Sequence, residues 1–417
     1  MKKTLIAVAA AAALTATSAF AEITFGAWLR VLASPVASTG KDVITGVENS
    51  WGWGARTARI NINGTSEDGK AGFVMGVYND FESGLGQGDD AYLWVKPVDT
   101  VKVSVGKFDS PTNGLRGDFC YGSWNWLRPG NWVREGEGLT FDGIWRSGLM
   151  VEADPMEGLH AFAVIPMSSS YKSAEETYRN IQVGFGYTIE GVGKLKAQFI
   201  GDYGYTTKES KTGDYYLDAS SGEIERKSVA YDKDQDKTTG QIGVAFDITA
   251  IENLYVTVGA RFGIADKDYA RDYLKMEFSA GASYQVSETM KFSVDGDYKQ
   301  YQDKVLAGGD DSLFSVGAGV DFTVMDGLAA VADVRYMSNN YGKKGDDGAI
   351  SFLVGVNKSV SSNGSLGIGF QGATNGCGLV TKDGSGIKAG QSYTLGKDGG
   401  DGDEFVWAIP VSVSVWF

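Results

Sequence analysis

The only histidine of the chain, His160, stands in LHAFAVIP, where Leu159, Ala161, Ala163 and Ile165 alternate with it. An imidazole that activates a hydroxyl or a water needs a nucleophile and an orienting acid beside it. Nothing in the spacing supplies either, so His160 is expected to face a polar side alone and the chain is not expected to be an enzyme. DKDQDK at Asp232 to Lys237 opens like a calcium loop, but Lys237 and Gly243 stand where the glycine and the bidentate glutamate belong. GVGK at Gly191 lacks the flanking glycines and helix of a phosphate loop. Cys120 and Cys377 lie too far apart in sequence to form a disulfide framework; free thiols are expected, with pairing left open. No cofactor or metal site follows from these residues.

Charged residues that recur inside alternating segments carry more information. Arg30, Arg59, Lys102, Lys196, Arg261 and Arg335, with Asp295, Asp297 and Asp333, each fall on the polar face of a period-2 pattern. NLYVTVGARFG sets Leu254, Val256, Val258, Ala260 and Phe262 against Tyr255, Thr257 and Arg261. YLKMEFSAGASYQ sets Leu274, Met276, Phe278, Ala280, Ala282 and Tyr284 against Lys275, Glu277, Ser279 and Gln285. These segments are strands of about ten residues, the length that spans a bilayer when tilted.

The breaks between strands decide the architecture. Short ones (Pro97 to Asp99, Ile189 to Gly193, Thr249 to Glu252, Val286 to Thr289, Thr323 to Gly327) take turns with long polar ones such as Asp109 to Gly138, Gly204 to Lys237 and Thr374 to Asp403. An up-and-down barrel has that rhythm, with its turns at one rim and its loops at the other. The pattern predicts an all-β, transmembrane antiparallel up-and-down β-barrel of 18 strands, with 16 as the alternative. They run near 22–32, 54–63, 70–80, 89–97, 100–108, 139–153, 159–166, 178–188 and 194–203, then near 238–248, 253–263, 273–285, 290–302, 312–322, 328–338, 348–358, 365–373 and 404–417. Charge on a lipid-facing position costs about 2–4 kcal/mol at midplane, so the polar faces are expected to line a water-filled lumen.

MKK, an alanine-rich apolar run and Ala19-Phe20-Ala21 have the three parts of a secretory signal. Residues 1–21 are therefore expected to be a signal peptide, with the barrel over 22–417. Glycine, at 58 of 417 residues, suits bends and barrel strands, and 12% aromatics with 7 prolines argue against disorder. A formal charge of −14 argues against a nucleic-acid partner. Tyr203, Tyr284, Tyr336, Phe370, Trp407 and Trp416 fall near strand ends, where interfacial aromatics are expected.

ARININGTSEDGKAGF and DDAYLWVKPVDTVKVSVGKFDSP resemble the second to fifth strands of the bacterial general porins. FVWAIPVSVSVWF, closing on Phe417, resembles the sorting signal read by the outer-membrane barrel assembly machinery. The resemblance implies an outer-membrane homotrimer that passes ions and small hydrophilic solutes by passive diffusion. It also implies a long third loop folded into the lumen, here DSPTNGLRGDFCYGSWNWLRPGNWVREGEG. Asp109, Asp118, Glu135 and Glu137 in it are joined by Arg116, Arg128 and Arg134 and by Trp124, Trp126 and Trp132. That departs from the family's acidic loop and fits two uses: aromatic packing against the wall, or stacking faces for a sugar-type solute. Acidic loops such as GGDD at Gly308 and KDGGDGDE at Lys397 are read as solvated charge, with divalent cations against lipopolysaccharide as the other use. The acidic balance predicts a mild cation preference. A substrate-selective, sugar-type channel and a structural or adhesive surface barrel with binding loops are the alternatives.

Overall fold

The computed structural model describes residues 22–38, 43–45, 56–80, 84–110, 144–168, 171, 174–206, 209–210, 215–217, 224–226, 229–230, 235–265, 274–302, 312–338, 348–374 and 405–417. The wall strands are β1 (Glu22–Ser38), β2 (Arg56–Thr65), β3 (Ala71–Asp80), β4 (Gly84–Val98), β5 (Val101–Ser110) and β6 (Ile144–Met156). They continue as β7 (Leu159–Pro166), β8 (Gln182–Ile189), β9 (Gly193–Thr206), β10 (Gln235–Ile248), β11 (Leu254–Ala265) and β12 (Leu274–Ser287). The series ends with β13 (Met290–Tyr301), β14 (Ser312–Met325), β15 (Leu328–Met337), β16 (Ala349–Ser361), β17 (Gly364–Ala373) and β18 (Val406–Trp416).

Each strand pairs antiparallel with the next, and β1 pairs with β2 on one side and β18 on the other. The result is a closed barrel of 18 strands, with Val43–Thr45 as one extra strand on β1. Closure is completed by the last residue: Phe417 donates its N–H to Ala27 O at 2.8 Å, and Ala27 donates to Phe417 O at 3.0 Å. The expected strands each have a counterpart, which sets aside the sixteen-strand alternative.

Alternation sorts the side chains as lipid and water require. Along β12, Phe278, Ala280, Tyr284 and Val286 are exposed on the outside, while Glu277, Ser279, Gly281 and Ser283 are buried on the inside. Phe25, Leu93, Val105, Val316 and Ile368 continue the apolar outer face, which water would penalise at about 25 cal/mol per Å² and acyl chains do not. The odd face of β18 points the same way, with Val413 outward and Ala408, Pro410 and Ser412 buried inward.

Eight tight turns join the strands at one rim. Gly69, Gly158, Gly191 and Gly327 hold four of them with φ between 66° and 78°, the left-handed region that a Cβ disfavours. In the β2–β3 turn, Asp68 accepts from the Ser66 hydroxyl at 2.6 Å and from the Lys70 N–H at 3.0 Å. These bonds, the Ser66 one foremost, hold its carboxyl below the ordinary value. Because the folded pKa is lowered, the stabilisation is present at neutral pH and is lost as pH falls through that value.

One segment departs from expectation. Tyr178 to Thr188 reads as strand, but the strand begins at Gln182 and Ala174–Arg179 forms a helix, α1. Glu175 and Glu176 in its first turn and Arg179 in its last suit the helix dipole, and Arg179 pairs with Glu175 one turn earlier. β7 and β8 have 8 residues each against 13 in β6 and 14 in β9, so the loop rim dips there. The α1 segment fills the dip: Gly201 of β9 donates to Ile181 O at 2.8 Å and accepts from Arg146 Nη2 at 2.6 Å. Gly204 to Lys237 is also less open than expected, since β9 and β10 extend into it and two small hairpin pairings (Glu209–Ser210 with Val229–Ala230, Tyr215–Leu217 with Ile224–Arg226) lie within it.

Gly191→Ala meets no neighbour within 4 Å, so its cost is conformational, about 1–2 kcal/mol. Urea titration of the detergent-folded protein, followed by tryptophan fluorescence, is expected to show that loss.

Candidate functional site

The inner face divides into two arcs. Over β1 to β7 it is aromatic: Trp28 meets Tyr78 edge-on at 6.3 Å, and Tyr92 meets Phe108 at 5.3 Å. Phe108, Met150, Phe162 and Val164 form a buried apolar cluster with Tyr92 packed against it. Cations lie over these rings, Arg59 at 5.4 Å from Tyr78, Lys102 at 6.0 Å from Tyr92 and Lys96 at 5.9 Å from Trp94.

Over β9 to β15 the inner face is charged, and opposite charges meet across strands. Lys196 reaches Asp247 at 2.7 Å, and Asp247 also accepts from Thr257 Oγ1 at 2.8 Å. Arg261, Glu277 and Lys299 lie opposite one another in one row of the ladder. Arg261 donates to Glu277 Oε2 through Nε at 2.8 Å and through Nη2, and Lys299 Nζ lies 3.6 Å from Oε1. Arg335 bonds Asp295 through Nη2 and Ser315 Oγ through Nη1 at 2.9 Å, with both ion-pair side chains fully buried.

Of the basic residues singled out from sequence, Arg59, Lys102, Lys196, Arg261 and Arg335 all lie on the inner face, and so do Asp295, Asp297 and Asp333. Each of the five cations has a carboxylate partner; Arg59 meets Asp90 at 3.3 Å and Lys102 meets Glu152 at 2.7 Å. Sequence reasoning passed over Asp90, Glu152 and Asp247 and gave Glu277 no partner. Arg30 lies in β1 by its backbone, opposite Ser414; Asp109 lies in β5, opposite Trp145. Arg116, Asp118, Trp124, Trp126, Arg128, Trp132, Arg134, Glu135 and Glu137 lie outside the described residues, as do Cys120 and Cys377. His160 does face inward, but it has company, since its Nδ1 is 2.9 Å from Asp154 Oδ1 across the β6–β7 turn. Among the described residues no group of three or more His, Cys, Asp or Glu side chains is arranged to hold a metal ion.

A closed barrel that is apolar outside and charged inside defines a membrane-spanning channel wall. Residues 189–363 match a family model described as a porin subfamily, and that match together with the closed barrel supports an outer-membrane porin channel. Among solved structures, the anion-selective porin from Comamonas acidovorans is similar at 16% identity and a TM-score of 0.50, covering 95% of this chain and 99% of that one. The outer-membrane OmpT of Vibrio cholerae is similar at 14% identity and a TM-score of 0.44, covering 95% and 97%. No curated protein matches the chain.

Asp295→Ala leaves Arg335 buried without its carboxylate, a loss of about 3–5 kcal/mol for a broken buried pair. Replacing both, as Asp295→Leu with Arg335→Met, is expected to restore most of it. The urea midpoint of the folded barrel in detergent reads both effects.

Proposed function

We propose that this porin is a passive diffusion channel for ions and small hydrophilic solutes, mildly cation-preferring, with no catalytic role. The observation that carries the preference is the pairing of wall cations with carboxylates, which leaves the turn rim to set the field. Seven of the eight turns carry an exposed acid: Glu67 and Asp68, Asp99, Glu157, Glu190, Glu252, Glu288 and Asp326. Rings of carboxylates raise local cation concentration and bias passage. The anion-selective neighbour shares the fold at 16% identity, too distant to pass on its selectivity.

The loop at 111–143 folds inward over the aromatic arc in this reading. What supports it is the full burial of Phe108 and Met150 on the inner face of a one-layer wall, beside the strands from which that loop departs and to which it returns. Arg116, Asp118, Arg128, Arg134, Glu135, Glu137 and the tryptophans 124, 126 and 132 then narrow the lumen. A second reading, a substrate-selective channel for sugar-type solutes, is favoured by the same aromatic arc. The remaining assignments are cleavage after residue 21, the terminal Phe417 as the mark for barrel assembly, and a homotrimer amid lipopolysaccharide; these extend the family reading.

Purified protein in planar bilayers is expected to give stepwise conductance with a reversal potential on the cation side in a potassium chloride gradient. Replacing the seven turns' acids by their amides is expected to move that potential toward chloride, more so at low salt. Folded protein without steps sinks the channel reading, and an unmoved potential sinks the rim assignment. Trp124→Ala, Trp126→Ala and Trp132→Ala are expected to raise the conductance. Saturable block by an oligosaccharide, lost in those variants, selects the second reading.

A further inference from the structure

Arg335 and Asp295 do not sit on neighbouring strands. Arg335 of β15 is opposite Gly317 of β14, and Gly317 is opposite Asp295 of β13, so the three form one row with the glycine in the middle. The guanidinium lies across that glycine: a Cβ there would overlap Nη2 and meet Cζ at 2.7 Å and Nε at 3.1 Å. Gly317 is not needed for its backbone. It lies in ordinary extended strand and is absent from the positive-φ glycines, so alanine fits the chain there. A diagonal version occurs at β2 to β4: Arg59, opposite Tyr78 in the ladder while Gly76 is opposite Asn61, leans over Gly76 of β3 to reach Asp90 of β4. A Cβ at Gly76 would be 3.2 Å from Nη2 and 3.3 Å from Nε of Arg59, tight but not overlapping.

We infer that Gly317, and more weakly Gly76, are positioning residues for the channel's charge: each is a gap in the inner wall that lets an arginine lie flat and neutralise a carboxylate two strands away. With a methyl group in the gap the strand still pairs, because the atom displaced is the end of a flexible side chain. The guanidinium must rise toward the pore axis, while Asp295, on its short stem, stays at the wall. A buried neutral pair becomes a lumenal cation, which favours anions and narrows the path.

The inference rests on the channel reading, so the wild-type conductance in the same bilayers is the control for that reading. Gly317→Ala is expected to shift the reversal potential toward chloride and to lower the unit conductance. Gly76→Ala is expected to shift it in the same direction by less. The shift should vanish when Gly317→Ala is placed in the Asp295→Asn/Arg335→Gln background, where no guanidinium remains to be raised. A shift that persists there, or no shift in Gly317→Ala channels that open normally, overturns the inference. If Gly317→Ala fails to fold, Gly76→Ala, where the added Cβ is only tight against Arg59, carries the test: a potential moved toward chloride supports the inference and an unmoved one overturns it.

Discussion

Every backbone N–H and C=O in the hydrocarbon needs a partner inside the protein, because acyl chains offer none. That constraint shapes the whole chain. Strands pair in sequence order, so no crossover leaves an edge open, and the final edges meet where Phe417 exchanges hydrogen bonds with Ala27. Once the ladder is closed, the period of two assigns every side chain to lipid or to lumen with no further choice. Outward positions then hold Phe, Val, Ile and Leu, and inward positions hold the charges that lipid would penalise.

Charges gathered on one face of a closed wall need to be reconciled with one another. In β9 to β15 this happens by register: Arg261, Glu277 and Lys299 meet because they fall in one row. Where the partner is two strands distant, the intervening residue must be small, as at Gly317. The abundance of glycine thus has several causes in one molecule. Left-handed turns need it at Gly69 and Gly191, and a bulky neighbour occupies the vacant side-chain space at Gly372, where a Cβ would meet Phe352 and Phe405 at 2.7 Å.

Strands were legible because alternation is local: Leu274 to Ser287 announces its two faces within fourteen residues. The barrel was legible from the alternation of short and long breaks, and inward placement of Arg59, Arg261 and Arg335 followed from parity. Partners were not, since Arg335 and Asp295 are 40 positions apart and meet only through the register of β14. α1 escaped because six residues hold less than two helical turns and give no period to detect. The division of the lumen into an aromatic and a charged arc also depends on which strands end up adjacent around the ring, and no single segment carries it.

The central claim is that the two faces of each strand meet different solvents. Single cysteines placed in turn from Lys275 to Val286, in a chain with Cys120→Ser and Cys377→Ser, and carrying a fluorophore in reconstituted vesicles, test it directly. Quenching by brominated lipid is predicted to be strong at 276, 278, 280, 282, 284 and 286 and weak between them, with water-soluble quenchers showing the reverse. Uniform quenching along the strand, or none by lipid at any position, would contradict the account.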